Sequence, residues 1–581
     1  SLFSYAQKDS IIFDSIYVGI GVVLESAGDV YSLLGNPIAN NSAVYSVPGI
    51  YLMEGAAGFT YPSYTNATAY DLRWGNATVT SLSSTGASLT AMTINGGTLT
   101  YNGNFTAPGG TITVTSSGAL TVTGILSATN VYMESGSLTA PTINVASLYR
   151  HNGGTTTTSA LTTVTYVQMA GTMTHNASTT GAINRLSISA TSSFSIGGGT
   201  ISAIGKGYPA LYSYGGPTIP ATTLASVTHG GGSHGGLGGT KVDFTNPGRT
   251  YDNPLNPYYP GAGSRGQAGG GVIAITVTGP CSFYNGGTID ATGNAQGAGG
   301  TIRMQCDSYF GASPWTGEIQ ANGGGTSNTF AAGGGGMVYL VSTGNELTWT
   351  GTLPFPSPTN TPNTASFKGR VKAYGGSGNT TYGNGGAGTI FVKHSGQTYG
   401  DLIIDNSTLA TTYANGGMAS ILSSTVNANV LYGSPDSNTG TVTNGGTPFA
   451  GLTDLFKGVN IQVYSTGAGS HDPSAGGHTV INLNTGSGDN TLVTTAGTFP
   501  AINNDYYYRF LYHLDHLDIG TKTLAEFNGA DVWLEGCDLH TTGSVTLDIP
   551  TGSKLTGNTL KATTCTTKNT AGTTLIFTNT Y

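Results

Sequence analysis

Short runs of alternating apolar and polar residues recur along most of the chain, and glycines precede many of them. Examples are VIAITV at 272–277, TIRMQC at 301–306 and MVYLV at 337–341. The side chains of a strand alternate between its two faces, so each run predicts a strand with one face directed inward. Glycine suits the corners between strands, because it allows positive φ and close backbone approach.

A longer pattern, G-x-I-x-A-x-G, repeats through the middle of the chain. Its copies, the last one weaker, begin at Gly199, Gly287, Gly317, Gly369 and Gly400. Repeats of this length are typical of solenoids, in which each coil contacts only its neighbours. We therefore predict stacked coils with a narrow apolar interior, in which Ile201, Ile289, Ile319, Val371 and Leu402 occupy equivalent positions. The longer gaps between copies predict insertions at 206–268 and 350–366.

Aliphatic residues near the C-terminus recur with a shorter period, at separations of 21 or 22 residues. They predict three further stacks, namely Leu534 with Leu555 and Ile576, Leu517 with Leu539 and Leu560, and Leu524 with Val545. Such stacks fit the interior of a parallel β-helix.

These patterns predict an all-β protein, a right-handed parallel β-helix (β-solenoid) with Gly-rich loop insertions and a distinct N-terminal segment. The predicted divisions are an N-terminal cap or subunit-docking segment at 1–75, β-helix coils at 76–205, a Gly/Tyr/Pro-rich insertion at 206–268, Gly-rich repeats of about 30 residues at 269–410, irregular coils and loops at 411–500, and coils of about 21 residues at 501–581.

The longest apolar run, residues 11–24, is shorter than the roughly 20 residues that span a bilayer, and Asp14 interrupts it. We predict no membrane span and interpret the run as a buried strand or a subunit contact. The candidate contact residues are Ile11, Ile12, Phe13, Ile16, Val18, Ile20, Val22 and Val23. Because a neighbouring copy could accept this segment as an added strand, the predicted partner is the chain itself.

Composition narrows the possible classes of protein. Only 8% of residues are charged and 92 of 581 are glycine, which argues against a coiled coil or an ordinary helical enzyme. The net charge of −8 argues against nucleic acid as a partner. An apolar content of 38% also argues against disorder.

Two cysteine pairs, Cys281 with Cys306 and Cys537 with Cys565, are separated by 25 and 28 residues, close to one coil. This spacing predicts two disulfides and an oxidising compartment, with four buried thiols as the alternative. Glycosylation sequons are the candidate modification sites, at Asn40, Asn66, Asn76, Asn104, Asn176, Asn379 and Asn406.

The stretch GGGSHGGLGG at 230–239, the segment at 251–271 and the G-x-I-x-A-x-G repeats resemble large Gly-rich β-helical surface proteins of bacteria and archaea. The resemblance covers about 195–410. It implies an extracellular, repetitive protein of a cell wall or surface appendage, and it transfers no catalytic residue.

Candidate chemistry is sparse. The G-x-S-x-G match at 231–235 is flanked by glycine, which cannot support the helix of a nucleophile elbow. His229 with His234, and His471 with Asp472 and His478, fit loop hydrogen bonds better than a metal site. No metal or cofactor is predicted, although Gly488-Asp489-Asn490 has the oxygen-rich character of a calcium-binding turn.

One polar cluster carries the rival interpretation. It contains His513, Asp515, His516, Asp518, Asp531, Glu535, Asp538 and His540. The period of the C-terminal coils predicts His516 over Asp538 and Asp518 over His540. A solvated outer face is the favoured interpretation, and paired glycosidase carboxylates are the alternative, with Tyr506, Tyr507, Tyr508 and Trp533 stacking on sugars.

The sequence therefore predicts a non-enzymatic extracellular structural protein. It would assemble with copies of itself into a surface filament, sheath or layer, or act as an adhesive fibre. The alternative is a viral tailspike-like β-helix that binds or cleaves surface polysaccharide.

Overall fold

The fold is described from a computed structural model of the whole chain. It describes residues 91–95, 98–213, 230–240, 250–264, 266–325, 331–344, 369–378, 383–407 and 512–520, and outside these ranges individual strands, mostly as backbone alone.

The described part of the chain is all-β, without helices. The first strands are β1 (Phe3–Tyr5), β2 (Ser10–Phe13), β3 (Tyr17–Val18), β4 (Val23–Glu25), β5 (Val30–Ser32), β6 (Ile38–Ala39), β7 (Val44–Ser46), β8 (Gly49–Leu52), β9 (Asp71–Trp74) and β10 (Ala77–Val79). The next are β11 (Ala91–Asn95), β12 (Thr98–Tyr101), β13 (Phe105–Thr115), β14 (Ala119–Val122), β15 (Ile125–Met133), β16 (Ser137–Thr139), β17 (Thr142–His151), β18 (Thr155–Thr157), β19 (Ala160–Gln168), β20 (Thr172–Thr174), β21 (Arg185–Ile196) and β22 (Thr200–Ser202).

The glycine-rich part contributes β23 (Val272–Val277), β24 (Pro280–Asn285), β25 (Thr288–Asp290), β26 (Thr301–Cys306), β27 (Ser308–Trp315), β28 (Ile319–Gln320), β29 (Met337–Ser342), β30 (Val371–Lys372), β31 (Thr389–Lys393) and β32 (Asp401–Ile404). The remaining strands are β33 (Ala419–Ser420), β34 (Gly433–Asp436), β35 (Thr441–Asn444), β36 (Asn460–Ser465), β37 (His478–Asn484), β38 (Thr491–Thr494), β39 (Tyr506–Leu514), β40 (His516–Ile519), β41 (Leu524–Glu526), β42 (Asp531–Leu534), β43 (Thr546–Asp548), β44 (Lys554–Ala562), β45 (Thr566–Lys568) and β46 (Thr574–Thr580).

From β9 to β31 the chain alternates between two sheets whose strand pairings are all parallel. Sheet I joins strands such as β13, β15, β17, β19 and β21, and sheet II runs from β10 through β12, β14 and so on to β30. Each coil therefore contributes to both sheets before the chain advances to the next coil. Buried side chains from the two sheets form one core cluster, an arrangement consistent with a parallel β-helix.

The interior of sheet I is a continuous stack of apolar side chains. Its register aligns Phe105, Leu126, Ile143, Leu161, Ile188, Ile275, Met304, Leu340 and Val392. All nine are at most 3% exposed, so burial of this stack along the axis supplies the main hydrophobic stabilisation.

Sheet II confirms the predicted stack of the G-x-I-x-A-x-G repeats. Ile201 pairs with Ile289, Ile289 with Ile319, and Ile319 with Val371, and all four are 0% exposed. The fifth copy does not continue the stack. Leu402 lies opposite Phe391 in an antiparallel pairing of β32 with β31. Leu402 therefore lies in a reversed strand at the end of the stack.

The glycine runs form a third layer, the glycine bundle, which comprises 230–240, 261–271, 291–300, 321–325, 331–336, 373–376 and 383–388. Gly333 and Gly336 donate hydrogen bonds to one neighbouring segment, at Gly324 and Ala321, while Gly334 and Gly335 donate to Gly232 and Gly386. Residues 333–336 therefore bond to three different neighbouring segments in turn, and Gly336 returns to the segment that Gly333 contacts.

The C-terminal strands differ from the predicted stacks. Leu534 lies opposite Ala562, and Leu555 lies opposite Leu575. The predicted pairing of Leu534 with Leu555 is therefore wrong in register, because β42 and β41 both pair with the long strand β44 at different points.

The cysteine prediction agrees with the structure for one pair. Cys281 and Cys306 form a disulfide with Cα atoms 5.9 Å apart. The register partner of Cys281 is Tyr309, so the bridge crosses diagonally from β24 to the end of β26. Cys537 and Cys565 lie outside the described residues.

Candidate functional site

The most regular surface in the described part is the outer face of sheet II. In each coil the central residue of the strand points inward and the residues on either side of it point outward. One outer rank holds Thr98, Ala119, Ser137, Thr155, Thr172 and Thr200, and the other holds Thr100, Thr121, Thr139, Thr157, Thr174 and Ser202. We call these twelve positions the threonine face.

Parallel pairing fixes the geometry of the threonine face. Neighbouring coils lie about 4.8 Å apart, and the two ranks lie about 6.6 Å apart along the strands. The central residues between the ranks are Leu99, Leu120, Leu138, Thr156, Met173 and Ile201, each at most 1% exposed. The backbone under the hydroxyls is therefore held by a packed interior.

Most hydroxyls of the threonine face have no hydrogen-bond partner within the described part of the protein. This holds for Thr100, Thr121, Thr139 and Thr157, which follow one another in register. Partners occur toward the ends of the two ranks: Thr98 has an interaction partner, the Thr174 hydroxyl donates to the carbonyl of His175 at 3.4 Å, and the Ser202 hydroxyl accepts the N–H of Ile204 at 3.4 Å. The face thus presents a row of donors and acceptors to the solvent.

The character of the sheet changes after Ser202. The next positions of the second rank are Asp290, Gln320 and Lys372, and these side chains bond to one another or to neighbours. Gln320 donates to Asp290 at 2.6 Å, and Lys372 pairs with Glu318 at 2.5 Å. Charge is therefore confined to the later coils, and the threonine face itself is neutral.

A buried contact between a histidine and an aspartate lies beside the glycine bundle. His234 and Asp252 are 0% and 1% exposed, and the imidazole Nε2 lies 3.3 Å from the Asp252 carboxylate. The Nδ1 atom lies 2.9 Å from the carbonyl of Gly299. Asp252 also accepts the backbone N–H groups of Asn253, Tyr258 and Tyr259. The Ser233 hydroxyl accepts the backbone N–H of Gly238, so the hydrogen bonds of the G-x-S-x-G segment join it to the backbone of the bundle and of the loop at 252–259.

Four members of the predicted polar cluster, His513, Asp515, His516 and Asp518, lie where β32 meets β40, Asp531 lies in β42, and Glu535, Asp538 and His540 lie outside the described residues. Asp401 lies opposite His516, and the imidazole Nδ1 is 2.8 Å from the Asp401 carboxylate. The carboxylate of Asp515 accepts the backbone N–H groups of Tyr399 and Gly400, at 3.0 and 2.7 Å. Both carboxylates are therefore already engaged. On this side of β40 the register partners of His516 and Asp518 are Asp401 and Ile403. Asp538 and His540 lie outside the described residues, so the predicted positions of His516 over Asp538 and Asp518 over His540 stay predictions.

Histidine 394 lies near the same cluster. Burial lowers the pKa of His394, and the nearby His516 adds to this effect, while Asp401 and Asp515 oppose it. The ring of His513 stacks on Tyr399, with centroids 3.4 Å apart. The side chains of Tyr506, Tyr507, Tyr508 and Trp533 lie outside the described residues.

The remaining predicted positions are distributed as follows. Asn104 and Asn176 are exposed, whereas Asn406 is 0% exposed and its amide bonds to the backbone of Gly375 and Gly385. Burial removes Asn406 from the candidate glycosylation sites. Asn40, Asn66, Asn76, Asn379, His229, His471, Asp472 and Asp489 lie outside the described residues.

The predicted contact segment is seen only as backbone. Ile11, Ile12 and Phe13 lie in β2, which pairs with β1 on one side and β5 on the other. Val18 lies in β3 and Val23 in β4, while Ile16, Ile20 and Val22 lie outside the described residues. Both edges of β2 are therefore used within the chain.

The threonine face was not identified from the sequence. Its signal is present as T-x-T tripeptides and their relatives, such as GGTLT at 96–100 and GSLTA at 136–140. The similar GGTIT at 109–113 lies in β13 of sheet I. Sequence similarity alone therefore could not assign each tripeptide to a sheet.

Fold and surface together define the class of the described part as an all-β protein of stacked parallel coils. Comparisons with protein-family models, curated proteins and solved structures found no match. Within the described residues, no helix has the length and hydropathy to cross a membrane, and no three His, Cys, Asp or Glu side chains are grouped to hold a metal ion.

Proposed function

We propose that this chain is an extracellular structural protein whose β-helix serves as a rigid surface or adhesive fibre. The observation that carries the proposal is the unbroken inward stack from Phe105 to Val392. Each coil contacts only its neighbours, so the length of the body grows with the number of coils. Such a body suits spanning a distance and presenting a repeated surface.

The helix is right-handed in this proposal, with the segment at 206–268 as a Gly-rich insertion between two coils. Parallel strands joined by crossovers in one sheet are right-handed in about 98% of cases. An extracellular location is supported by the Cys281–Cys306 disulfide, since such bridges persist in oxidising compartments. The role requires no catalytic group, metal or other cofactor.

The ends of sheet I favour an adhesive fibre made of one chain over a polymer built by strand addition. Antiparallel pairings join β1 to β2 near one end and β31 to β32 near the other. The reversed strand β1 does not match the direction of a further parallel coil, and the outer edge of β32 is already paired with β40. Self-association into a filament, sheath or layer would then use contacts between the sides of neighbouring β-helices rather than between their ends.

The second candidate function is a tailspike-like protein that binds or cleaves polysaccharide. The grouping of Asp401, Asp515 and His516 at one junction is the observation that favours it. Two carboxylates at a sugar-binding cleft are the usual apparatus of glycoside hydrolysis.

Negative-stain microscopy of the full chain tests these alternatives. Single rods or laterally associated rods are expected for the structural protein, and compact trimers would contradict it. Release of reducing sugar from a polysaccharide panel, lost in Asp401→Asn, would favour the second candidate.

Deleting residues 1–24 provides a further test, because removal of β2 should destabilise the fold rather than only prevent association. A truncated chain with unchanged circular dichroism that no longer scatters light would instead identify the segment as a connector.

A further inference from the structure

We propose that the threonine face binds the surface of an ice crystal. It carries eleven hydroxyl groups and one alanine in two parallel ranks over six consecutive coils of sheet II, from Thr98 to Ser202. The threonine face is a repeating, uncharged array of hydroxyl groups. A ligand that matches it is therefore a repeating, uncharged lattice of hydrogen-bonding groups.

The chemistry of threonine suits ordered water. A hydroxyl both donates and accepts, as each water molecule of ice does. Thr100, Thr121, Thr139 and Thr157 make no hydrogen bond within the described protein, so binding need not break an internal bond. Branching at Cβ restricts the side chain to few rotamers, so little conformational entropy is lost when the array is bound.

The composition of the face argues against other occupants. The two ranks contain no aromatic residue on which a sugar ring could stack, and no carboxylate or amide to bind its hydroxyls in a bidentate manner. Nor do they contain the apolar and aromatic centre of a protein interface. Charged side chains begin only at Asp290, beyond the face.

The scaffold supplies the rigidity that lattice matching needs. Leu120, Leu138 and Thr156 are at most 1% exposed beneath the ranks, and the Tyr149 hydroxyl bonds to Thr156 at 2.7 Å. Each hydroxyl contact with ice is weak, but many contacts form together once one is made, as in any multivalent interaction. Binding requires only one folded chain, so it is independent of assembly.

The test compares two double variants of the full chain that differ only in the face they alter. Thr139→Lys with Thr157→Lys places charges on two register neighbours of the threonine face. Asn144→Lys with Thr162→Lys places the same charges on two register neighbours of sheet I in the same coils. Asn144 and Thr162 are both exposed. Circular dichroism and hydrogen exchange verify that each variant is folded.

The measurements are thermal hysteresis, ice recrystallisation and incorporation of the protein into a growing ice hemisphere. Wild type and the sheet I variant are expected to shape crystals and enter ice, with at least a tenfold loss for the threonine-face variant. Should the lysines prevent folding, Thr139→Val with Thr157→Val keeps the side-chain shape and should still weaken activity.

Three results would overturn the proposal. The first is a wild type that is not incorporated into ice, the second is an equal loss of activity in both double variants, and the third is a wild type that binds crystalline cellulose or chitin and leaves ice growth unchanged. Retention of activity in both the lysine and valine variants of the threonine face would equally refute it.

Discussion

At the scale of single residues, the glycines of the bundle are required by space rather than by turn geometry. None of Gly333, Gly334, Gly335 or Gly336 has a positive φ. A Cβ added to any of the four would overlap a carbonyl oxygen of an adjacent segment, such as that of Ala373 at Gly335. Backbone packs directly on backbone here, much as glycine permits close chain approach in collagen.

Two adjacent glycines allow a matched test of this packing. A Cβ at Gly324 would overlap the carbonyl of Asn294, whereas a Cβ at Gly325 would meet its nearest atom, the carbonyl oxygen of Ser377, at 3.7 Å. Gly324→Ala should destabilise the bundle by about 1–3 kcal/mol through overpacking. Gly325→Ala should change stability by less than about 0.5 kcal/mol. Hydrogen exchange of peptides covering 331–336 measures both effects, and equal protection in the two variants would contradict this account.

At the scale of elements, the inward stacks contain polar side chains, of which Gln168 is hydrogen-bonded, whereas both ring nitrogens of His151 are buried without a hydrogen-bond partner. One stack contains Met133, His151, Gln168 and Ile196 in register. The Tyr166 hydroxyl donates to Gln168 at 2.6 Å, and the rings of Tyr149 and Tyr166 stack at 5.5 Å. The coils at 142–196 therefore combine aromatic stacking with an internal polar network.

Buried histidines should make these coils sensitive to acid. Burial lowers the pKa of His151 to about 4, and that of His175 also to about 4. Between pH 6.5 and 4 the unfolded chain binds more protons than the folded chain, so the free energy of unfolding decreases as the pH falls. Each histidine contributes up to about 3 kcal/mol to this loss, which is complete below pH about 4.

The contribution of His151 can be separated by His151→Met, which matches its register neighbour Met133. The variant should show a smaller decrease in unfolding free energy from pH 7 to pH 4, measured by urea unfolding at each pH. An unchanged pH dependence would show that His151 is not protonated on unfolding.

At the scale of the whole molecule, the reversed strand β32 closes one end of the long stack. Ile403 lies opposite Ile390 in the antiparallel pairing, and both are at most 3% exposed. Asn406, just after β32, bonds to the backbone of Gly375 and Gly385 and so fastens the strand to the glycine bundle. Without this cover, β31 would present an unpaired edge.

Leu402→Lys should release the closing strand, because its register partners Phe391 and Leu517 are buried and apolar and an unpaired charge between them is costly. The exposed edge of β31 should then cause association that increases with concentration, measured by light scattering. Ser395→Lys adds the same charge at an exposed position of the loop before β32, and it should remain monodisperse. Equal scattering from the two variants would show that β32 does not act as a cap.

The predictions from sequence succeeded where one local period controls the packing. Ile201, Ile289, Ile319 and Val371 stack as predicted, because each sits between the same glycines and must fill the same inward position. Prediction failed at Leu402 and at Leu534, whose spacing is equally regular. Their partners depend on a reversed strand and on the long strand β44, which the spacing of leucines does not encode.

The sequence by itself determined the all-β class, the inward stack of the central repeats and the pairing of Cys281 with Cys306, because alternation and period act locally. Only the tertiary structure decided which threonines share a face. Thr139 and Thr157 are neighbours because β16 and β18 pair in register, whereas the similar tripeptide at 111–113 lies in β13 of sheet I. Tertiary packing likewise brought His516 to Asp401, 115 residues away, and buried Asn406. Such contacts arise from the stacking of whole coils, which no short stretch of sequence specifies.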